Sequence, residues 1–374
     1  MGDPVYLDFN ATTPLLPDVV EAMLPFLREH FGNPSSGHVY GRRAKAAVEV
    51  ARDQVAALLG CSSQEILFTS GGTEANNLAL IGLWRAGRFS QAVTSVVEHP
   101  ATSSPLAALE AEGVPVDRLG VDSRGVTTLP QALEAPVLAS LMHANNETGV
   151  LQPVKELAAK VHAAGGVLHT DASQTVGKVR VDVNALEVDA LTVCAHKLYA
   201  PKGVGALYVR QGLTPKPYLL GASHERGRRP GTENVASIVG LGVACEIARR
   251  TVDAEALRVA ALRDELLRRL IERVPGLQVN GAGAERLPNT LSVRFPRVAG
   301  SAVLAHAPEV AASTGSACHD GHELASAIIL AMGVDPLEAQ GTVRLSLGRS
   351  TSPSDVAFAA EHLAQAWTGA AQGR

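Results

Sequence analysis

The chain has 374 residues, 46% of them hydrophobic and 19% charged, with 33 Lys and Arg against 37 Asp and Glu for a formal net charge of −4. That length is enough for two hydrophobic cores. The charge balance offers no basic footprint for nucleic acid or an anionic membrane. Four widely spaced cysteines, with no CxxC pair, argue for a reducing, cytoplasmic setting rather than a disulfide framework. The stretch MGDPVYLDFN has neither a basic start nor an apolar h-region, and no apolar run approaches the length of a membrane span.

In chain order, the first ~30 residues read as irregular and pack against a later unit. Helical patterns follow at 43–59, 74–86, 101–112 and 153–164. They alternate with short apolar runs that read as strands: EILFTS (65–70), AVTSVV (92–97), PVLASLMHA (136–144), GVLHTD (166–171), VDALTVCAH (188–196) and GALYVR (205–210). This alternation predicts a largely parallel sheet covered on both faces. After about residue 234 the pattern changes to two helices, 234–250 and 254–273, a strand at 289–295, a helix at 321–332, a strand at 342–347 and a helix from 354. That is a second, smaller α+β unit.

Candidate chemistry gathers where strands end. Lys197, one of only seven lysines, follows an apolar strand and precedes a Gly/Pro-rich turn. It is either a snorkelling edge residue or a desolvated amine able to attack a carbonyl. Asp171 ends another strand; alone it could cap a helix, but beside a strand-end lysine it matches a known need. Pyridoxal phosphate takes a lysine for its aldehyde and a carboxylate for its ring nitrogen. In FTSGGTEANNLAL (68–80) a strand gives way to a helix through two glycines, a phosphate cradle in which Thr73 could also be a simple cap. His99 in VVEHPATSS is a structural histidine, a stacking partner or a proton carrier. Asn145 and Asn146 end a fifth run, where Asn pairs also build turns. One crevice could hold all five strand ends.

Cys318 stands apart, in ASTGSACHDGHE (312–323), among small and polar residues unlike the surroundings of a structural cysteine. A zinc site from Cys318, His319 and His322 would need adjacent residues to face one metal, with no second Cys pair to help.

With these motifs assembled, the chain resembles the cysteine desulfurases of the NifS/IscS-like, class V aminotransferase fold. The resemblance runs nearly end to end: YLDFNATTP, FGNPSS, FTSGGTEANNLAL, EH, NNETG, HTDASQ, HKLYAPKGVGALY, RPGTEN, LPNTLS, STGSAC and RLSLGR. It implies an α/β, fold-type I pyridoxal-phosphate-dependent transferase. A large unit (15–250) would carry a mostly parallel seven-stranded sheet. A small α+β unit (1–14 and 251–374) would carry the cysteine loop. It also implies roles. Lys197 would hold the cofactor aldehyde and move the substrate α-proton. Asp171 would pair with the ring nitrogen, Gln174 with the ring oxygen, and His99 would stack on the ring and exchange protons. Gly72, Thr73 and His196 would bind the phosphate, joined by Thr232 of a second subunit in a homodimer. Asn146 would serve cofactor and substrate, with Arg344 and Asn10 on the substrate side. Cys318 would attack the sulfur of L-cysteine, form a persulfide, release alanine and pass the sulfur to an acceptor such as an iron–sulfur scaffold protein. No metal is implied.

The pattern also departs from the family. Cys194 stands where a serine usually donates to the phosphate, Ala222 and Ser223 replace frequent glycines, and Pro100 follows His99 where many desulfurases have lysine. NPSSGHVYGRRAK, LAHAPEVAAS and SACHDG are similar to selenocysteine lyase, which makes L-selenocysteine the alternative substrate; a pocket that reads shape separates such isosteres poorly. A scaffold that kept the fold without the chemistry, and an aminotransferase or β-lyase that needs no thiol, are the other readings.

Overall fold

The computed structural model describes residues 3–314 and 325–372. A short strand β1 (Val5–Tyr6) precedes helices α1 (Pro17–Arg28) and α2 (Val39–Leu59). Then come β2 (Ile66–Thr69), α3 (Gly72–Ala86), β3 (Gln91–Ser95), α4 (Pro100–Ala111), β4 (Val116–Leu119), β5 (Val137–Ser140), α5 (Val154–Ala163), β6 (Val167–Asp171), β7 (Ala190–Cys194) and β8 (Gly205–Val209). A long helix α6 (Val235–Arg273) leads to β9 (Gln278–Val279), β10 (Thr290–Arg294), α7 (Gly300–Ala305) and β11 (Val310–Ala311). The chain continues through α8 (Ala327–Ala331), α9 (Pro336–Ala339), β12 (Thr342–Ser346) and α10 (Pro353–Gln372).

Seven strands form one sheet in the order β2-β8-β7-β6-β5-β3-β4. Only β8 runs against its neighbours. The parallel strands are covered on both faces, which is why β5 and β7 read as apolar runs and are buried throughout. The carboxyl ends of β3, β5, β6 and β7 therefore open on one side of the sheet. The edge strand β4 (VDRL) carries no apolar run: Asp117 and Arg118 are exposed, the usual protection of an open edge, and it escapes a reading based on hydrophobic patterning.

A second, antiparallel sheet has the order β12-β10-β9, and β1 pairs in parallel with β11. Buried apolar side chains fall into two principal clusters. One spans Val19 to Ala248 around the large sheet; the other joins Leu7 to Val259–Ala370 around the small one. Helix α6 contributes Cys245 and Ala248 to the first cluster and Val259 and Leu266 to the second, so one rod crosses both.

Two expectations are corrected. The segment before residue 30 is not irregular throughout: α1 starts with Pro17 in its first turn, where the missing N–H costs nothing, and buries Val19 against the first cluster. Only the stretch from β1 to Asn10 joins the second unit, through Leu7 in its core, Asp8 on Arg344 and Asn10 on Thr290. The two helices expected at 234–250 and 254–273 are one helix of 39 residues. The joint Thr251–Val252–Asp253 contains neither Gly nor Pro, so its propensity cost is small, and Arg249, Arg250 and Arg258 each pair with a glutamate one turn away. The helix expected at 321–332 is described only from its C-terminal part, α8. No helix of the described residues is long and apolar enough to cross a membrane.

Candidate active site

A cavity of about 590 Å³ lies at the carboxyl ends of the central strands. Asp171, the last residue of β6, forms part of its wall. Its Oδ2 accepts from Asn76 Nδ2 at 2.8 Å and its Oδ1 from the Ser173 backbone N–H at 2.9 Å. Burial alone would raise the pKa of this carboxyl. The hydrogen bonds from Ser173 and Asn76, with the charge of Lys197, outweigh it and hold the group below its ordinary value. Two residues earlier on the same face, His169 is clasped between the hydroxyls of Ser140 and Thr192, at 2.9 and 3.0 Å, and burial pushes it down to about 4. It is a neutral support for the strand.

Lys197 follows β7 on a single 3-10 turn and lines the same cavity. The N-terminal segment braces this turn. Thr13 donates to the His196 carbonyl from its N–H at 2.9 Å and its hydroxyl at 3.0 Å, and its Oγ1 accepts from Tyr199 N at 2.8 Å. Tyr199 sits at φ +62°, a left-handed conformation that costs an aromatic residue energy and persists because its surroundings impose it. His196 contacts Thr12 Oγ1 through Nδ1 at 3.1 Å; burial and the charges of Lys197 and Lys202 hold it down to about 4, so it is neutral.

His99 caps α4. Its Nδ1 accepts from Ala101 N at 3.0 Å, which leaves the ring proton on Nε2 in the neutral form. Burial, then the charge of Lys197, lowers its pKa against the opposing pull of Asp171. Asn145 and Asn146 separate in role. Asn145 builds the turn, its Oδ1 accepting from the N–H groups of Glu147 and Thr148 and its Nδ2 donating to Val97 O. Asn146 lines the cavity, and its carboxamide has no hydrogen-bond partner among the described residues.

Gly72 and Thr73 open α3 on the cavity. Gly71 precedes them at φ +154°, and a Cβ on Gly205 of β8 would lie 2.8 Å from the Gly71 carbonyl carbon. Both positions need glycine if the helix N-terminus is to present its backbone this way. Cys194 lines the cavity beside Gly72, and burial raises its thiol pKa despite nearby backbone N–H groups of Gly72 and His196.

Arg344 of β12 enters from the small sheet. Its Nη2 donates to Asp8 Oδ1 at 2.7 Å and its Nη1 to the Asn146 carbonyl at 3.1 Å; its Nε is buried without a partner among the described residues. Gln174 and Asn10 also line the cavity. Gln174 Nε2 donates to Asn10 O at 3.1 Å. The Asn10 carboxamide is fully engaged: Nδ2 donates to Thr290 Oγ1 and Asn146 O, and Oδ1 accepts from Lys178 and Asn289.

Thr232 is exposed and does not line this cavity. Cys318, His319 and His322 lie outside the described residues. On one side of that stretch, Arg344 N donates to Ser313 O at 2.6 Å; on the other, Ser326 Oγ donates to Glu147 Oε2 at 2.6 Å. Four residues with a bearing on the site escaped the sequence reading: Asn76, Lys178, Lys202 and Asp8. Asn76 alone left a signal, because it falls three residues after Thr73 on the same helix face.

A family model described as Aminotransferase class-V matches residues 5–358. A protein named cysteine desulfurase from Gluconacetobacter diazotrophicus is 47% identical over 362 residues, 94% of this chain and 90% of its own. A cysteine desulfurase IscS from Dictyoglomus turgidum is 44% identical over 367 residues, 96% of this chain and 93% of its own. A solved structure described as a NifS-like protein superposes with a TM-score of 0.91 at 36% identity, covering 98% of this chain and 100% of the other. The chain belongs to the class-V aminotransferase family and, within it, to the cysteine desulfurases.

Proposed function

We propose that this protein is a cysteine desulfurase that uses pyridoxal 5'-phosphate to take sulfur from L-cysteine, releases L-alanine, holds the sulfur as a persulfide on Cys318 and hands it to an acceptor protein such as an iron–sulfur scaffold. The observation that carries this reading is the convergence of Lys197, Asp171, His99 and Arg344 on one cavity.

The residues present fit the cofactor. An ionised carboxylate without a direct cationic partner suits a protonated ring nitrogen, and a glycine-opened helix N-terminus suits a phosphate. Lys197 would hold the aldehyde, Asp171 the ring nitrogen, Gln174 the ring oxygen and His99 the ring face. Gly72, Thr73 and His196 would hold the phosphate. Once bound, the cofactor supplies an electron-poor ring that takes up the electron pair left at the substrate α-carbon.

The chain's own groups do the rest. Arg344 binds the substrate carboxylate as a charge-assisted donor, with the Asn146 carboxamide beside it and Asn10 bracing both. The Lys197 amine takes the α-proton. His99, neutral with its proton on Nε2, offers a hydrogen-bond donor at the cavity wall, and proton exchange there requires the ring to take up a second proton or release its Nδ1 contact with Ala101. The Cys318 thiolate attacks the substrate sulfur, so an S–S bond forms as the Cβ–S bond breaks. The electron pair of that bond stays with carbon, which is protonated, and L-alanine leaves.

A second subunit accounts for Thr232, which is exposed on its own chain. The homodimer draws support from exposed apolar groups: Phe31, 80% exposed between α1 and α2, stacks on Tyr40, and a groove of about 410 Å³ is lined by Phe26 of α1, Ala47 and Val50 of α2 and Val243 of α6. The two apolar clusters support a division into a large unit (15–250) and a small unit (1–14 and 251–374). A cytoplasmic setting suits a thiol that must stay reduced.

The test measures L-alanine and enzyme-bound persulfide together, on L-cysteine and on L-selenocysteine. The wild-type protein forms both products from L-cysteine. Cys318→Ala loses persulfide and sulfide release but keeps the visible absorbance of bound cofactor. Full turnover of L-cysteine by that variant overturns the persulfide mechanism, and turnover confined to L-selenocysteine favours the lyase reading.

A further inference from the structure

Lys178 has no part in the chemistry above, yet its ammonium is among the most constrained groups near the cavity. It follows Gly177, whose φ of +78° turns the chain, and a Cβ there would lie 1.9 Å from Leu198 Cδ1. Its Nζ donates to Gln174 Oε1 at 2.7 Å and to Asn10 Oδ1 at 2.9 Å. Neither partner is a carboxylate. Burial, with the charges of Lys197 and Arg344, pushes its pKa well below the usual lysine value. Such a group is expensive to keep unless its donors are used for something.

Their use is to orient two amides. A carboxamide can flip end for end at little cost unless its neighbours distinguish oxygen from nitrogen. Here they do, at both ends. Gln174 Nε2 faces the Asn10 carbonyl and Asn10 Nδ2 faces the Asn146 carbonyl, both of which can only accept. In its charged form, which two facing oxygens at 2.7 and 2.9 Å favour, Lys178 can only donate, so a flipped Gln174 or Asn10 would set its NH2 against the ammonium. With one Gln174 N–H spent on Asn10 O, the other remains for the cavity that this side chain lines. The network continues through Asn10 to the Asn146 carbonyl, which also accepts from Arg344 Nη1 at 3.1 Å.

We propose that Lys178 is a positioning residue: by donating to Gln174 and Asn10 at once it keeps the Gln174 amide turned as a hydrogen-bond donor toward the cofactor's ring oxygen, and it ties that end of the cavity to the Arg344 end. This rests on the cofactor reading given under Proposed function.

The experiment is a pH titration of the visible absorbance of the cofactor-loaded protein, in wild type, Lys178→Met, Lys178→Arg, Gln174→Ala and the Lys178→Met/Gln174→Ala double variant, with melting temperatures recorded alongside. Lys178→Met moves the midpoint up by about one pH unit, the size of one hydrogen bond. Lys178→Arg, which still donates, stays close to wild type. The double variant titrates like Gln174→Ala alone, because Lys178 acts through that amide. If Lys178→Met does not fold, Lys178→Ala replaces it: it has no donor and adds no competing polar group, and the midpoint moves in the same direction. A wild-type midpoint in the folded variant overturns the proposal. So do additive shifts in the double variant, which would mean that Lys178 acts by its own charge. Failure of the functional reading itself looks different: the wild-type protein shows no visible cofactor band, and both readings fall.

Discussion

At the Asp171 end of the cavity a buried carboxylate is held by neutral donors, Asn76 Nδ2 at 2.8 Å and Ser173 N at 2.9 Å. At the Arg344 end a buried guanidinium is met by a full counter-charge, Asp8 Oδ1 at 2.7 Å. Neutral donors stabilise an anion without cancelling it, so the Asp171 charge stays available to a cation entering the cavity. A salt bridge within the chain offsets the burial of Arg344, so a carboxylate entering at that end would join an existing pair and would not pay for desolvating a lone cation. A third group takes neither route. Glu98, deep between β3 and the turn after β5, accepts from Ser95 Oγ and Met142 N through one oxygen, and the other has no partner among the described residues. Burial pushes it up to about 8, so at neutral pH it keeps its proton.

Substitutions should separate these three solutions, the largest effect coming first. Asp171→Asn keeps the shape and removes the charge. Losing a buried charge partner costs about 3–5 kcal/mol, roughly 10²–10⁴ in kcat/KM on L-cysteine. A variant within tenfold of wild type would show that the charge is not what matters at that end. Arg344→Lys keeps the charge and removes the planar fork. It should raise KM for L-cysteine by about 10–100-fold with a smaller change in kcat, the loss of roughly 1.5–3 kcal/mol of charge-assisted bonding. An effect confined to kcat would contradict a role in holding the ground-state carboxylate.

Asn76→Ala tests the neutral-donor idea directly and should cost about 1–2 kcal/mol, near tenfold in activity. The folded pKa of Asp171 is depressed, so its contribution to stability is present above the unfolded value and is lost as pH falls through the folded one. Without the Asn76 bond that loss begins at higher pH, and the acid side of both the melting curve and the activity profile should move up. Unchanged acid limbs would assign the holding of Asp171 to Ser173 and the charge of Lys197.

The smallest effect at neutral pH is expected of Glu98→Gln. The native state keeps a proton that the unfolded chain sheds above about pH 4.5, so the Glu98 contribution declines as pH rises toward about 8. Glutamine imitates the protonated form. Melting temperatures at pH 5 and pH 8.5 should show the variant gaining on wild type at the higher pH, and parallel curves would exclude a buried neutral carboxyl.

Much of this was legible in the chain. The parallel strands other than β4 were read to within a few residues because burial on both faces makes them continuous apolar runs, and Lys197, Asp171, His99 and Gly72, which line one cavity, stood out as candidates because each interrupts such a run at its end. What failed has physical causes. Strand β4 lacks an apolar pattern because it is an edge. The break expected in α6 falls on Thr, Val and Asp, which cost a helix little, and packing across two clusters carries the helix through them. Asp8 meets its partner 336 residues away, and Lys178, though one of its acceptors is only four residues away, is made a bridge by Asn10, 168 residues away, so neither role is marked in the local sequence.

By itself the sequence determined which residues could do chemistry and which strands would carry them, because burial and backbone periodicity are local consequences of residue type. Tertiary structure alone decided which polar groups are already spent. The saturated Asn10, the Asp8-paired Arg344 and the neutral cradle of Asp171 depend on hydrogen bonds between distant segments, and a donor or acceptor in one stretch of chain carries no mark of the partner that folding will bring to it.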